Sequence, residues 1–244
     1  MKTIGIIPAR YGSSRLPGKP LKDILGKPMI QHVYERASQA KLIDELIVAT
    51  DDQRIVDAVE AFGGKAMLTA ANHPTGSDRI AEVARNYDCE NVINIQGDEP
   101  LIMPEIIDEI AEALISDKTQ VMATGCYQVR EELYHNPNVV KVVFDRNHDA
   151  MLFSRSMIPY PRNPEGLAVY EHIGIYAYTK EFLMKYITLP NTPLSTIESL
   201  EQLKVMENGY KIKIVPTKFN YDALSVDTQE DLDEVTRIMK ERGV

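Results

Sequence analysis

The chain has 244 residues, 44% of them apolar and 26% charged, with a formal net charge of -9. That length allows a sizeable core, and the acidity argues against non-specific binding to a polyanion such as nucleic acid. No apolar run approaches the roughly 18 residues of a membrane span, and two cysteines, Cys89 and Cys126, are too few for a disulfide framework and lack metal-ligand spacing. Because Met1 leads straight into an apolar strand without a signal-peptide pattern, a cytoplasmic protein is expected, with one domain over residues 1–244.

In chain order, Ile4, Ile6 and Ile7 read as a buried first strand that Pro8 ends. Beyond Pro28, Ile30, Val33, Tyr34 and Ala37 fall at i, i+3, i+4 and i+7, one face of a helix. A second strand is expected over 46–49, followed by a helix opening near Asp51 and Asp52 with Ile55, Ala58, Val59 and Phe62 inward. Gly63-Gly64 is its stop, and a third strand covers 65–69. Residues 70–79 read as a polar loop, Ile80, Val83, Ala84 and Tyr87 mark a helix, and 92–95 form a fourth strand. This alternation predicts an α/β fold with a doubly wound, mainly parallel sheet and ligands outside the carboxyl ends of its strands.

Pro104 opens a helix carrying Ile106, Ile107, Ile110 and Leu114, and 121–129 reads as a strand. Extended segments without intervening helices then follow at 139–144, 150–154 and 169–178, so a strand-rich antiparallel extension is expected over about 130–178. Such an extension can cover the mouth of a site or pair with a second subunit. Helices are expected over 180–187 and, as one element stopped by Gly209, over 193–208; a strand at 211–215 and a helix from Thr228 end the chain.

Directly after the first strand, Arg10, Arg15 and Lys19 stand in a loop with Gly12, Ser13 and Ser14. Small residues let the backbone turn tightly and offer amides and hydroxyls, and the three cations match phosphate oxygens, so the loop reads as a triphosphate cradle. It lacks both the Gly-Lys-Ser/Thr ending of a Walker loop and the three-glycine spacing of a dinucleotide fingerprint, which argues against a nicotinamide enzyme. Gln96-Gly97-Asp98-Glu99-Pro100 follows the fourth strand, where a doubly wound sheet presents a carboxylate to its ligand. Magnesium on a nucleotide uses one or two carboxylates, so Asp98 is the first candidate ligand; the alternative is a turn residue ahead of Pro100. In Val226-Asp227-Thr228-Gln229-Glu230-Asp231, either Asp227 or Thr228 can cap the last helix with Asp231 completing the pair. Beside the cradle and Asp98, Asp227 becomes the second candidate ligand.

Together, the loop 7–21, Gln96-Gly97-Asp98-Glu99-Pro100, Phe153-Ser154-Arg155, His172-Ile173-Gly174-Ile175-Tyr176, Glu198-Ser199-Leu200-Glu201-Gln202-Leu203 and Val226-Asp227-Thr228 resemble the 3-deoxy-manno-octulosonate cytidylyltransferases, or CMP-Kdo synthetases. The resemblance runs in order over about residues 3–240. It implies a nucleotide-diphospho-sugar transferase fold, a homodimer, and Mg2+-dependent transfer of CMP from CTP to the anomeric hydroxyl of Kdo, an acidic sugar of lipopolysaccharide, with release of pyrophosphate.

Carried over by position, the resemblance implies that Arg10, Ser13, Arg15 and Lys19 hold the triphosphate, that Arg79 helps hold the nucleotide, and that Asp98 and Asp227 bind magnesium. Lys19, Asp98 and Asp227 are then the catalytic residues. Gln96, Arg155, His172, Tyr176, Glu201 and Gln202 would form the sugar-acid pocket, with Arg155 as the partner of the carboxylate. Taken singly, Arg155 also reads as a strand end in solvent, Tyr176 as core, Glu201 and Gln202 as an exposed helix turn, and His172 as a hydrogen-bonded strand histidine. Leu224-Ser225 departs from the family pattern, which commonly has glycine before Val-Asp-Thr, and 127–148 matches loosely. The 8-amino analogue of Kdo is therefore an alternative substrate and a sialic acid a more distant one. A nucleotide-sensing module is the non-enzymatic alternative, against which the presence of both Asp98 and Asp227 speaks.

Overall fold

The computed structural model describes residues 2–13, 15–221 and 224–243; Ser14, counted above with the cradle, lies outside the described residues. The chain forms two compact units, Met1–Asp108 with Asp222–Val244, and Glu109–Tyr221. In the first, β1 (Thr3–Ala9) leads through a loop and a 3-10 turn (Lys19–Leu21) to a small hairpin of β2 (Asp23–Ile24) and β3 (Lys27–Pro28). Then come α1 (Met29–Ala37), β4 (Glu45–Thr50), α2 (Gln53–Ala61), β5 (Ala66–Leu68), α3 (Gly76–Arg85) and β6 (Asn91–Asn94). Helix α4 (Pro104–Ser116) carries the chain into the second unit, which holds β7 (Met122–Gln128), β8 (Lys141–Phe144), β9 (Ala150–Ser154) and β10 (Tyr170–Thr179). It continues with α5 (Lys180–Tyr186), α6 (Pro193–Glu198), α7 (Glu201–Glu207) and β11 (Lys213–Pro216), before α8 (Gln229–Arg242) completes the first unit.

The sheet of the first unit runs β6-β1-β4-β5 with every neighbouring pair parallel. Parallel strands buried on both faces are apolar throughout rather than alternating, and Ile4, Ile6, Ile7, Ile47, Val48 and Val92 are all fully buried. In the second unit β7 pairs parallel with β11 and antiparallel with β10, while β8 pairs antiparallel with both β10 and β9. The α/β class, the parallel sheet and the antiparallel extension are those expected from the sequence. Among the described residues no helix is long and apolar enough to cross a membrane. Cys89 and Cys126 are buried outside any disulfide, and burial pushes the Cys126 thiol up to about 12, which leaves it unreactive at neutral pH.

Three expectations are corrected. Strand β1 continues through Pro8 to Ala9. Ile6 turns its carbonyl toward the β6 side, where it accepts from Ile95 N at 3.0 Å, so Pro8 faces that side two residues later. There β6 no longer pairs with β1, and the missing N–H forfeits no ladder bond. Helix α3 begins inside the stretch read as a polar loop, because Thr75 Oγ1 accepts from Asp78 N and caps it. The helix expected over 193–208 is two helices, broken where Ser199 adopts a left-handed backbone with φ 52°.

The turn from β6 to Asp98 presses against the end of β1. A Cβ on Gly97 would stand 2.7 Å from the Pro8 carbonyl oxygen, a clash with backbone that no side-chain movement relieves. Gly97→Ala is expected to lower stability by about 1–3 kcal/mol in urea denaturation; an unchanged midpoint would show that the turn is not constrained at this point.

Candidate active site

The loop after β1 is closed by its own backbone. The Tyr11 carbonyl accepts from Ser13 N and Gly18 N, both at 3.0 Å, and the Ser13 hydroxyl accepts from Leu16 N at 3.3 Å. Gly18 sits in the left-handed region at φ 68°, with the Tyr11 ring 3.2 Å from where a Cβ would be, so glycine serves both the turn and the close approach. Tyr11 is itself covered by the Arg54 guanidinium, 3.4 Å from the ring centroid. This closure delivers Lys19 at the start of the 3-10 turn. Arg10 is exposed and makes no hydrogen bond or ion pair among the described residues.

Lys19 is the centre of the first unit's charged cluster. Its Nζ donates to Asp98 Oδ2 at 2.8 Å and to Asp227 Oδ1 at 3.1 Å, and Arg15 Nη2 reaches Asp227 Oδ2 at 3.0 Å. The Lys19 side chain is 15% exposed and that of Arg15 63%, so the Lys19 contacts are the less screened and the stronger. Leu16 from the loop, Leu101 beyond Asp98, Val226 beside Asp227, and Leu232, Val235 and Met239 of α8 share one buried core. Val226 N also donates to the Asp98 carbonyl at 2.9 Å.

The last helix shows which residue of 227–228 is its cap. Thr228 is the cap: its hydroxyl accepts from Asp231 N at 3.2 Å, and the Asp231 carboxylate accepts from Thr228 N at 2.9 Å and Asp227 N at 3.0 Å. The Asp227 side chain is thereby released from capping and turned to Lys19.

Arg79 is buried in α3. Its Nη1 donates to Thr69 Oγ1 and the Ala70 carbonyl, and its Nη2 to Asp51 Oδ2 at 3.1 Å, so the guanidinium ties the segment after β5 to the end of β4. Gln96 is half-buried in the turn between β6 and Asp98.

The remaining sugar-acid candidates belong to the second unit. Arg155, just past β9, turns its guanidinium to backbone carbonyls: Nε donates to Glu198 O at 2.7 Å, Nη1 to Pro137 O at 2.9 Å and Nη2 to Ser199 O at 3.5 Å. The Glu198 carboxylate accepts from Arg155 N at 2.9 Å and Ser154 Oγ at 2.7 Å. Burial is the largest influence on Glu198 and pushes its pKa up, but these bonds and the charges of Arg155 and Lys141 hold it below its ordinary value.

Lys141 received no role from the sequence. Fully buried, it donates from Nζ to the carbonyls of Asn136, Val139 and Arg155 at 2.8, 2.6 and 2.7 Å. Burial pushes its pKa down, and Glu171 and Glu198 oppose that shift. The signal was a lone cation among Val139, Val140, Val142 and Val143, where nothing apolar explains it.

His172 and Tyr176 stand on β10 with ring centroids 5.3 Å apart, and Tyr176 stacks on Tyr178 at 6.0 Å. Burial lowers the His172 pKa to about 3 and raises that of Tyr176 well above its ordinary value, so both are neutral across the physiological range. Gln202 is buried at the start of α7, whereas Glu201 is exposed and accepts from the Tyr186 hydroxyl at 3.1 Å.

A family model described as Cytidylyltransferase matches residues 4–213. The chain is 50% identical over 246 residues to a 3-deoxy-manno-octulosonate cytidylyltransferase of Fusobacterium nucleatum, covering 100% of this chain and 99% of that one. It is 47% identical over 247 residues to the protein of the same name from Geobacter metallireducens, covering 96% of each. A solved structure described as CMP:2-keto-3-deoxy-manno-octonic acid synthetase complexed with CTP superposes with a TM-score of 0.95 at 45% identity, covering 99% of this chain and 100% of that one.

The Asp231 cap sets a pH dependence. Burial pushes its carboxyl up, but the amides of Asp227 and Thr228 outweigh that and hold its pKa below the ordinary value. Its stabilisation is therefore full above the unfolded value of about 3.9 and lost as pH falls through the lower folded value. Asp231→Asn is expected to lower the urea midpoint at pH 7, with the gap to wild type closing below about pH 4; a gap of equal size at pH 7 and pH 3 would contradict this.

Proposed function

This chain belongs to the 3-deoxy-manno-octulosonate cytidylyltransferase family, and from that premise we propose that it transfers CMP from CTP to the anomeric hydroxyl of Kdo, releasing pyrophosphate, for lipopolysaccharide synthesis. The observation that carries the chemistry is one ammonium, Lys19, shared by two carboxylates, Asp98 and Asp227, beside a loop of further cations. Both carboxylates are hard oxygen donors partly open to solvent, and a pair of them suits Mg2+, which takes one or two carboxylates and completes its shell with phosphate and water. Asp98 and Asp227 are accordingly assigned as its ligands. Bound magnesium supplies neutralisation of the triphosphate and polarisation of its oxygens.

In the reaction the anomeric oxygen forms a bond to the α-phosphorus as the bond to the pyrophosphate oxygen breaks in line. Charge grows on the leaving group, and Arg10, Arg15 and Lys19 are the side chains assigned to offset it, with Ser13 shaping the loop. Arg79 is assigned to the nucleotide, with its bonds to Thr69 and Ala70 fixing the segment after β5. His172, at about 3, is too weak a base to take the hydroxyl proton, and no side chain is assigned that task.

Gln96, Arg155, His172, Tyr176, Glu201 and Gln202 are assigned to the sugar acid. Arg155 must exchange one carbonyl for the sugar carboxylate, and its Nη2 contact to Ser199 at 3.5 Å is the loosest. A homodimer is part of the same reading; Met151, Tyr160 and Ile197, large apolar side chains exposed on the second unit, support it. A cytoplasmic location completes it, supported by the lack of a spanning helix among the described residues.

The test is pyrophosphate release with CTP and Mg2+, offering Kdo, 8-amino-Kdo and a sialic acid separately. Release with Kdo and not with the sialic acid is expected; silence with all three would overturn the assignment, and preference for the 8-amino sugar would change the substrate. Asp98→Asn is expected to lower turnover by about 100-fold or more with CTP affinity falling far less. Unchanged turnover would remove Asp98 as a required ligand.

A further inference from the structure

One buried hydroxyl in the second unit meets three partners. Strand β10 is irregular against β7: His172 and Ile173 face Cys126 and Gly125, but the next aligned pair is Tyr176 with Thr124. Gly174 and Ile175 are the extra residues of this bulge. The Thr124 side chain fills it, fully buried, with Oγ1 2.9 Å from Ile173 O, 2.7 Å from Ile175 O and 2.9 Å from His172 Nε2.

A hydroxyl has one proton and two lone pairs, and a carbonyl has no proton to give. Were Thr124 to donate to the imidazole, two carbonyl oxygens would face the hydroxyl oxygen at 2.7 and 2.9 Å with no proton between them. The contacts are all served when the Thr124 proton goes to the bulge carbonyls and the imidazole donates its own Nε2–H to Oγ1. We infer that Thr124 is a positioning residue, which fixes His172 in the Nε2–H form and leaves Nδ1 as an acceptor only.

Burial keeps the ring neutral, so Nδ1 carries a lone pair at working pH. Phe153, edge-on at 5.1 Å, and Tyr176 hold the ring, the residue keeps some exposure to solvent, and Nδ1 has no hydrogen-bond partner among the described residues. An acceptor of this kind takes a hydroxyl and repels a carboxylate. Resting on the assignment of His172 to the sugar acid, the ring therefore receives a sugar hydroxyl, and Thr124 contributes to the orientation in which the polyhydroxy acid binds.

The test combines long-range 1H–15N spectra of histidine-labelled enzyme with steady-state kinetics on CTP and Kdo. His172 is identified by the signal lost in His172→Phe. The wild type is expected to show protonated Nε2 and bare Nδ1 at pH 7. Thr124→Val is expected to let a measurable fraction of the Nδ1–H form appear and to raise the KM for Kdo about tenfold with the KM for CTP within about twofold, the scale of one lost hydrogen bond; Thr124→Ser restores both. The wild-type spectrum alone decides the tautomer even if Thr124→Val does not fold, and Nδ1–H there overturns the inference. So does a Thr124→Val enzyme with unchanged tautomer and KM. The Nε2–H form in the wild type together with an unchanged KM for Kdo in His172→Phe overturns instead the sugar-acid assignment of His172.

Discussion

Two ionised carboxylates repel each other, and the first unit is built around the ammonium that brings a pair of them together. Asp98 and Asp227 come from distant parts of the chain, and the Lys19 ammonium donates to both. Everything nearby serves this meeting. Gly18 and the doubly bonded Tyr11 carbonyl deliver Lys19, Gly97 lets the turn approach Pro8 and carry Asp98 in, and the Thr228–Asp231 box takes over capping so that Asp227 is available. A shared apolar core beneath the three segments keeps them in register. Lys19 and Arg15 balance the charge of the two carboxylates, which is how such a pair is tolerated in a folded protein.

The second unit handles charge differently. Lys141 is surrounded by three carbonyls and Glu198 by donors from the 154–155 segment, so both charges are used up in holding the backbone that carries Arg155. His172 and Tyr176 are kept neutral by burial instead. The result is a group of side chains whose hydrogen-bonding directions are fixed while their protons stay where they are. That suits recognition of a polyhydroxy acid better than proton transfer.

Much of this was legible in the sequence, because it rests on periodicity and short-range signals. The helical spacing of Ile30, Val33 and Ala37 and the apolar run of β1 gave elements of the first unit, and the cations after β1 pointed to the loop that brings Lys19 and Arg15 to the carboxylates. What was not legible depends on partners far away in the chain. Pro8 looked like a terminator because its loss of an N–H matters only if a strand lies on that side, and β6 has already ended there. Residues 193–208 kept an unbroken helical pattern, while the break at Ser199 is a backbone conformation no side-chain period reports. Asp227 and Thr228 were equal candidates for the cap, and the choice became visible only with Lys19, 208 residues earlier, in place beside Asp227. Thr124 carried no signal at all, since its role exists only once β10 bulges against β7.

Lys19 holds Asp98 and Asp227 as a pair, which we propose serves a magnesium–nucleotide complex. Calorimetric titration of CTP, with and without Mg2+, into the wild type and the Asp98→Asn/Asp227→Asn double variant tests it most directly. Magnesium is expected to tighten CTP binding to the wild type, and that gain is expected to shrink about tenfold or more in the double variant. An equal magnesium-linked gain in both proteins would contradict it.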